Sequence, residues 1–191
     1  MREQLISWVG SETLADECIR RLVAHLVAKG FGDQGKGRIR DFLMRGIRSA
    51  AKSAIADIPE AKRPKIDFST WALESPSWLN HWRQGLLTRS WRGLERLEHK
   101  DTSRPLYAIL RMATEYPKDD AAMLVVRINT QSDISVDKDK VRALIIPART
   151  TFAEILGLEI EETLEEADPA SVMREIETLG LTSMFVAPKA L

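Results

Sequence analysis

The chain has 191 residues, and its 28 basic and 28 acidic residues leave no formal net charge. This length accommodates one or two small domains, each with a buried core. The single cysteine, Cys18, excludes a disulfide framework and a thiolate metal cluster. No apolar run is long enough for a membrane span and the start does not resemble a signal peptide, so we expect a cytoplasmic protein without a membrane partner.

The charges are unevenly distributed along the chain. Nine basic residues stand against four acidic ones between residues 30 and 65. From Glu154 to the end, nine acidic residues face only Arg174 and Lys189. A polyanion would therefore meet the amino-terminal half first.

The amino-terminal half predicts two strong helices. Residues 11–30 carry apolar side chains at every fourth position, and residues 39–55 have one apolar face. The opposite face of the second helix carries Arg45, Arg48 and Lys52, which are either solvated or in contact with phosphates. Between these helices, residues 30–37 are rich in glycine but lack the Gly-Lys-Ser/Thr ending of a phosphate-binding loop, so they indicate a connector.

A segment that contains three prolines follows the second helix. Pro59, Pro64 and Pro76, together with mixed charges, predict a linker between two helical modules. Beyond it, residues 78–100 predict a long amphipathic helix with apolar and tryptophan side chains on one face.

Residues 106–157 have the pattern of a helix-turn-helix unit. A first helix follows Pro105, with Ser103 as its predicted cap, and ends at Tyr116-Pro117. Asp119 and Asp120 place negative charge at the start of a second helix, which is expected to end near Asn129. Asp137 is placed to cap a third helix, which has one apolar stripe and, on the opposite face, three basic side chains: Lys138, Arg142 and Arg149. A three-helix core segment with solvated charges gives the same pattern.

The chain lacks recognisable catalytic or metal-binding motifs. The three histidines lie on separate predicted helices without metal-ligand spacing, and no nucleophile elbow or dinucleotide fingerprint is present. We therefore expect neither an enzyme nor a cofactor. After a break at Asp168-Pro169, a final helix is predicted from Ser171 to Leu179, with a stop at Gly180.

Several stretches, taken in order, resemble bacterial RNA polymerase sigma factors of the small extracytoplasmic-function type that carry an acidic carboxyl-terminal extension. ADECIRRLVAHLVAKGF (residues 15–31) resembles the helix of sigma region two that docks on the polymerase clamp. GKGRIRDFLMRGIRSA (residues 35–50) resembles the promoter-facing helix that follows it. SWLNHWRQGLLTRSWRGL (residues 77–94) resembles the helix leading into region four, and VRALIIPARTTFAEIL (residues 141–156) its recognition helix.

This resemblance implies an all-α protein of two small helical domains. Residues 1–57 would be like sigma region two, 58–77 a linker, and 78–191 like region four with its extension. The implied partners are core RNA polymerase, promoter DNA and a regulatory protein of the anti-sigma or another class. The implied DNA contacts are Arg38, Arg40, Arg45, Arg48, Lys52, Lys138, Lys140, Arg142 and Arg149, and the implied polymerase contacts are Asp16, Glu17, Arg20 and Arg21.

The chain departs from the family at two functional positions. Arg20-Arg21 stands where the family has Gln-Glu in the clamp-docking helix, and Ile146-Pro147 replaces His-Arg in the recognition helix. A proline inside a helix removes one backbone hydrogen bond, at a cost of about 3 kcal/mol. The alternative function is therefore a degenerate sigma-like module that acts through protein contacts without promoter recognition.

Overall fold

The structure is a computed structural model that describes residues 1–30, 38–132 and 134–186. These residues form eight α-helices and no β-strand, which confirms the predicted all-α class. Residues 31–37, and with them most of the predicted glycine-rich connector, lie outside the described residues. The helices are α1 (Arg2–Val9), α2 (Glu12–Lys29), α3 (Ile39–Ala56), α4 (Pro76–Lys100), α5 (Leu106–Glu115), α6 (Ala121–Gln131), α7 (Lys138–Glu161) and α8 (Pro169–Thr178).

The chain divides into two compact units, and the division falls within α4. The first unit comprises Met1–Gln84 and Glu162–Val172, and the second comprises Gly85–Glu161 and Met173–Leu191. The segment after α7 thus returns to the unit that contains α1, α2 and α3. None of the described helices combines the length and apolar character needed to cross a bilayer.

The core of the first unit forms where α1, α2 and α3 pack together. Ser11 caps α2 by accepting a hydrogen bond from the Leu14 amide at 3.3 Å, as expected for a residue at this position. The helices α2 and α3 approach each other closely at Gly46, where an added Cβ would lie 2.7 Å from Cδ1 of Leu22. Cys18 is completely buried among the apolar side chains of this core.

The segment predicted as a linker also contributes to this core. Trp71 is buried and packs against Trp8, with ring centroids 4.8 Å apart. Ile66 and Phe68 are partly buried against the same cluster. Arg63 donates hydrogen bonds to the carbonyl of Ala56, the last residue of α3, and to that of Ile58 just beyond it. The prolines interrupt helices here, but the apolar side chains between them hold residues 58–77 against the unit.

The second unit contains the three helices of the predicted helix-turn-helix. Helices α5, α6 and α7 pack pairwise against one another. Ile109, Leu124, Ile128, Val141 and Ile145 are fully or almost fully buried between them. The predicted helices, the stop at Tyr116 and the apolar stripe of α7 are therefore confirmed.

The carboxyl-terminal part of α7 lies against the second half of α4. Trp91 packs against Phe152 with ring centroids 4.7 Å apart. A Cβ added at Gly93 would lie 2.9 Å from Cγ2 of Ile155, so the small residue permits the close approach. Arg89 forms an ion pair with Glu159 at the same interface.

One local prediction, the cap of α5, is revised by the structure. Ser103 does not cap α5, because its hydroxyl bonds to the Asp101 carboxylate. The buried carboxylate of Glu98 instead accepts a hydrogen bond from the Ala108 amide at 3.0 Å, which satisfies one of the free donors at the start of α5. Helix α7 continues without interruption across Pro147, so the proline does not begin a new helix.

The predicted end of α8 is confirmed. Gly180 adopts a left-handed conformation with φ of 64°, and the Leu181 amide bonds back to the carbonyl of Ile176 at 2.9 Å. This arrangement ends helices commonly because glycine tolerates positive φ without strain.

Candidate nucleic-acid interface

The candidate interface is built on α6, the turn that follows it and the start of α7. Asp120 caps α6 by accepting a hydrogen bond from the Met123 amide at 2.9 Å. Asp137 accepts from the Lys140 amide at 2.7 Å and so caps α7 as predicted. Helices α6 and α7 are therefore two capped helices joined by six residues, an order of elements that is compatible with the predicted helix-turn-helix.

Asn129 holds the turn between the two helices. Its side-chain amide donates to the Val136 carbonyl at 3.0 Å, and its carbonyl oxygen accepts from the Val136 amide at 2.9 Å. The Asn129 side chain therefore pairs with both backbone groups of Val136, as a neighbouring β-strand would. The two bonds hold the chain just before α7, and the Val136 side chain is buried. The sequence pattern marked Asn129 only as the end of a helix, because its partner lies across a turn.

Arg127 stabilises the preceding turn, between α5 and α6. Its guanidinium group lies 3.5 Å from the ring centroid of Tyr116 and forms an ion pair with Asp119. The pKa of Arg127 is raised, first by the hydrogen bond to Asp119. Sequence reasoning did not identify this contact.

Helix α7 presents two faces with different chemistry. Val141, Ile145 and Ala148 are fully buried on one face. The exposed residues recur along the other, at Lys138, Asp139, Arg142, Ala143, Ile146 and Thr150. Because this spacing keeps one side of the helix towards solvent over three turns, the exposed stripe is accessible to a groove of DNA. We call residues 138–146 of this stripe the α7 stripe.

The four basic residues predicted on α7 do not share one environment. Lys138 and Arg142 are exposed in the α7 stripe, whereas Lys140 and Arg149 are half-buried. Arg149 instead lines an apolar groove of about 1190 Å³ beside the aromatic rings of Trp91 and Phe152. The structure therefore brings together only Lys138 and Arg142 from the predicted set.

One carboxylate lies within the electrostatic field of these two cations. The pKa of Asp120 is lowered, mainly by the hydrogen bond from the Met123 amide and further by the charges of Lys138 and Arg142. The cations at the start of α7 therefore act electrostatically on the cap of α6.

The predicted DNA contacts on α3 are partly available. Arg45 and Lys52 are exposed, while Arg48 is half-buried and its Nε makes no hydrogen bond. The Nζ of Lys52 lies 5.5 Å from the ring centroid of Phe68, within range of a cation–π contact. These two exposed side chains lie seven residues apart, which places them on one side of α3.

Arg38 and Arg40 are engaged within the chain. The Arg40 side chain is completely buried, with Nη1 3.2 Å from the Leu73 carbonyl oxygen and 3.3 Å from the Asp41 carboxylate. Arg38 forms ion pairs with Asp41 and Glu74, both at 2.9 Å. A buried guanidinium cannot reach a phosphate in this conformation, so we do not include Arg40 in the interface.

The acidic segment after α7 touches the start of α3. The Thr163 carbonyl accepts a hydrogen bond from the Ile39 amide at 3.0 Å, and Leu164 pairs with Arg38 in an isolated β-bridge. The uneven distribution of charge along the chain does not indicate that residues after α7 contact α3. The fold places residues 163–164 at the first turn of the basic helix, where they satisfy one of its free amides.

The predicted polymerase contacts on α2 form an ion-pair network. Asp16 pairs with Arg2 at 2.6 Å, and Glu17 pairs with both Arg20 and Arg21 at 2.6 Å. The pKa of Asp16 is lowered by the hydrogen bond from Arg2, and the pKa of Glu17 by the bonds from Arg20 and then Arg21. These pairs lie at the surface, where an ion pair adds little stability.

Arg21 links α2 to α3. Its guanidinium donates to the Ser53 hydroxyl at 2.7 Å and to the Asp57 carboxylate at 2.7 Å. Among the described residues, Arg20 bonds only to Glu17, and 71% of its side-chain surface is accessible. The two adjacent arginines therefore have different roles, which the sequence alone does not distinguish.

In the ranges that the structure describes, no group of three or more His, Cys, Asp or Glu is arranged to hold a metal ion. No protein-family model, curated protein or solved structure matches the chain.

Proposed function

We propose that this protein is a sigma-like transcription initiation factor that binds duplex DNA through α7 and associates with core RNA polymerase. The observation that carries the DNA-binding part is the α7 stripe. Lys138 and Arg142 are exposed there, on the second helix of a helix-turn-helix whose turn is held by Asn129. The polymerase partner rests on the ordered resemblance to sigma factors alone.

The two units support different parts of this proposal. In the second unit, α7 is capped at its start and carries exposed cations in its first turns. A helix that enters a DNA groove needs such accessible cations for the phosphates. In the first unit, Arg45 and Lys52 supply exposed charge for phosphates at a second position. Since phosphate contacts release counterions, binding through these residues is expected to weaken as salt increases.

The DNA-binding part is tested with the full chain and a pool of random duplexes, by fluorescence polarisation at increasing salt. A Lys138→Ala, Arg142→Ala double variant is expected to bind more weakly. Its salt slope is expected to fall by about 0.9 for each phosphate that the variant no longer neutralises. The control is Arg96→Ala, Lys100→Ala, which removes the same charge from exposed residues near the end of α4. An equal loss of affinity in both variants, or no duplex binding by the native chain at low salt, would refute the proposal.

The polymerase part is tested by capture of core RNA polymerase from the source organism with the native chain. Arg20→Gln is the informative variant, because the side chain of Arg20 is exposed and its hydrogen bonds within the described residues all go to Glu17, one turn earlier in α2. Arg21→Glu would also remove the bonds to Ser53 and Asp57 and place a carboxylate beside Asp57. Capture of core RNA polymerase by the native chain supports the proposal. If neither the native chain nor Arg20→Gln captures the polymerase, the result counts against it.

A second candidate function is a degenerate sigma-like module that works through protein contacts. The observation that favours it is that Arg21, Arg38 and Arg40 are all held by ion pairs within the first unit. Restoring the family residues tests it: Arg20→Gln with Arg21→Glu, and Ile146→His with Pro147→Arg. If a folded multiple variant gains polymerase or promoter binding that the native chain lacks, the degenerate module is supported. A folded variant that stays inactive contradicts it.

A further inference from the structure

The α7 stripe contains an apolar patch between its charges. Ala143 and Ile146 are both exposed, and Ile146 leaves 38% of its surface accessible. The core does not require them, because Val141, Ile145 and Ala148 already supply the buried side of this part of α7. Single exposed apolar residues are common on protein surfaces. This pair is informative because it lies within the same stripe as Lys138 and Arg142.

The width of a helix matches the major groove of a duplex. With its side chains, an α-helix is about 10–12 Å across. The major groove of B-form DNA is also about 12 Å wide. A helix placed there with its cations towards the phosphates would bring the apolar patch to the edges of the bases.

Only one group on the floor of the major groove is apolar. Thymine exposes its C5-methyl group, whereas adenine, guanine and cytosine present donors and acceptors that an alkyl side chain cannot satisfy. Facing Ile146 or Ala143, those polar groups would lose water without gaining a partner. A thymine methyl at the same place would instead be buried against alkyl carbon, which is favourable.

The Ile146 side chain is well suited to discriminate in this way. A β-branched residue in a helix keeps essentially one χ1 rotamer, so its methyl groups are held in place before binding. The patch therefore presents rigid hydrocarbon rather than a flexible polar chain.

We infer that Ala143 and Ile146 contact thymine methyl groups in the major groove and so determine which duplexes this protein prefers. The inference rests on the proposed function, since it specifies what α7 recognises once it lies in the groove. Lys138 and Arg142 supply contacts to the backbone, and the apolar patch supplies the sequence preference.

The test removes single methyl groups from DNA. A preferred duplex is first selected from a random pool with the full chain, and each thymine is then replaced in turn by deoxyuridine, which lacks only the C5-methyl. For the native protein we expect one or two of these replacements to weaken binding about fourfold each, the effect of one buried methyl group. For Ile146→Ala, at least one of the sensitive positions is expected to become indifferent to the replacement.

The Ile146→Val variant and a folding measurement separate a lost thymine contact from a misfolded protein. Ile146→Val keeps the branched carbon and is expected to keep most of the sensitivity, and circular dichroism checks that each variant is folded. If duplexes bind but no deoxyuridine replacement matters, or if native protein and Ile146→Ala respond equally, the thymine contact is refuted and DNA binding stands. If no duplex binds at low salt, both the proposed function and this inference fail.

Discussion

Asn129 is the residue on which the geometry of the turn before α7 depends. We expect Asn129→Ala to lower the free energy of unfolding by about 1–2 kcal/mol, because it removes two hydrogen bonds to Val136 and leaves the buried backbone there without partners. Urea denaturation of the full chain measures this change. Gln131→Ala, at an exposed position of the same helix, is the control and is expected to change the free energy by less than about 0.5 kcal/mol.

The variant also separates stability from binding. If Asn129 orients the start of α7, then Asn129→Ala is expected to weaken duplex binding under conditions where the variant is still folded. Similar unfolding free energies for Asn129→Ala and Gln131→Ala would show that the two hydrogen bonds do not hold the turn.

Asp120 connects local stability to pH. Its folded-state pKa lies below the ordinary value, mainly because it accepts the Met123 amide. A carboxyl group with a lowered folded pKa stabilises the protein fully above its unfolded pKa of about 4, and this contribution is lost as the pH falls through the folded pKa. Asp120→Asn keeps a capping side chain but removes this titration.

We therefore expect the native protein and Asp120→Asn to have similar melting temperatures near pH 7. Below about pH 4 the native protein should lose stability more steeply than the variant. Thermal melts monitored by circular dichroism across this range give the comparison. Because the other carboxylates titrate in both proteins, parallel pH profiles would show that Asp120 contributes nothing through its charge.

At the scale of the element, Pro147 lies in the interior of α7, where a proline normally destabilises a helix. Pro147 cannot donate the hydrogen bond to the Ala143 carbonyl, so Pro147→Ala is expected to raise the free energy of unfolding by about 1–3 kcal/mol. Pro76→Ala is the matched control, because Pro76 occupies the first position of α4, where proline removes no helical hydrogen bond. Both changes loosen the unfolded chain similarly, so the difference between them isolates the helix interior.

The two prolines are compared by urea denaturation of the full chain. Equal effects would mean that the helix has already accommodated Pro147, for instance by bending at no net cost. A larger gain for Pro147→Ala would show that the native chain retains a residue that destabilises its candidate recognition helix.

At the scale of the molecule, the acidic segment after α7 lies in the same unit as the basic helix α3. We expect replacement of Glu162, Glu165 and Glu166 by glutamine to strengthen duplex binding several-fold at low salt, because negative charge near α3 repels phosphates. The control set is Glu60→Gln, Glu115→Gln and Glu177→Gln, which changes the net charge equally at exposed positions elsewhere.

The salt dependence distinguishes local repulsion from net charge. The screening length is about 10 Å at 0.1 M salt and about 3 Å at 1 M, so the difference between the two sets should disappear at high salt. Polarisation titrations at both concentrations test this expectation. Equal affinity of the two sets at low salt would mean that only the total charge matters.

Several features of the fold were predictable because they are local. The helices α2, α3, α4 and α7 follow from apolar spacing, and Asp137 caps α7 as predicted. These signals involve residues within one or two turns of each other. They therefore do not depend on how distant parts of the chain pack.

The candidate site was only partly predictable. Lys138 and Arg142 could be identified as cations on one exposed face, because the opposite face of α7 is plainly apolar. Helical spacing also grouped Arg149 with them, but Arg149 lines an apolar groove. The resemblance to sigma factors implied a DNA contact for Arg40, but Arg40 is buried. Helical spacing gives the direction of a side chain but not what packs against that side.

By itself, then, the sequence determined the all-helical class, the positions of most helices and the amphipathic character of α7, since each depends on neighbouring residues. Only the tertiary structure decided that residues 58–77 pack into a core, that Thr163 meets Ile39, and that Asn129 holds the turn before α7. Those contacts join residues far apart in sequence or across a turn. Their partners are chosen by packing and by the need to satisfy buried polar groups, which no local pattern records.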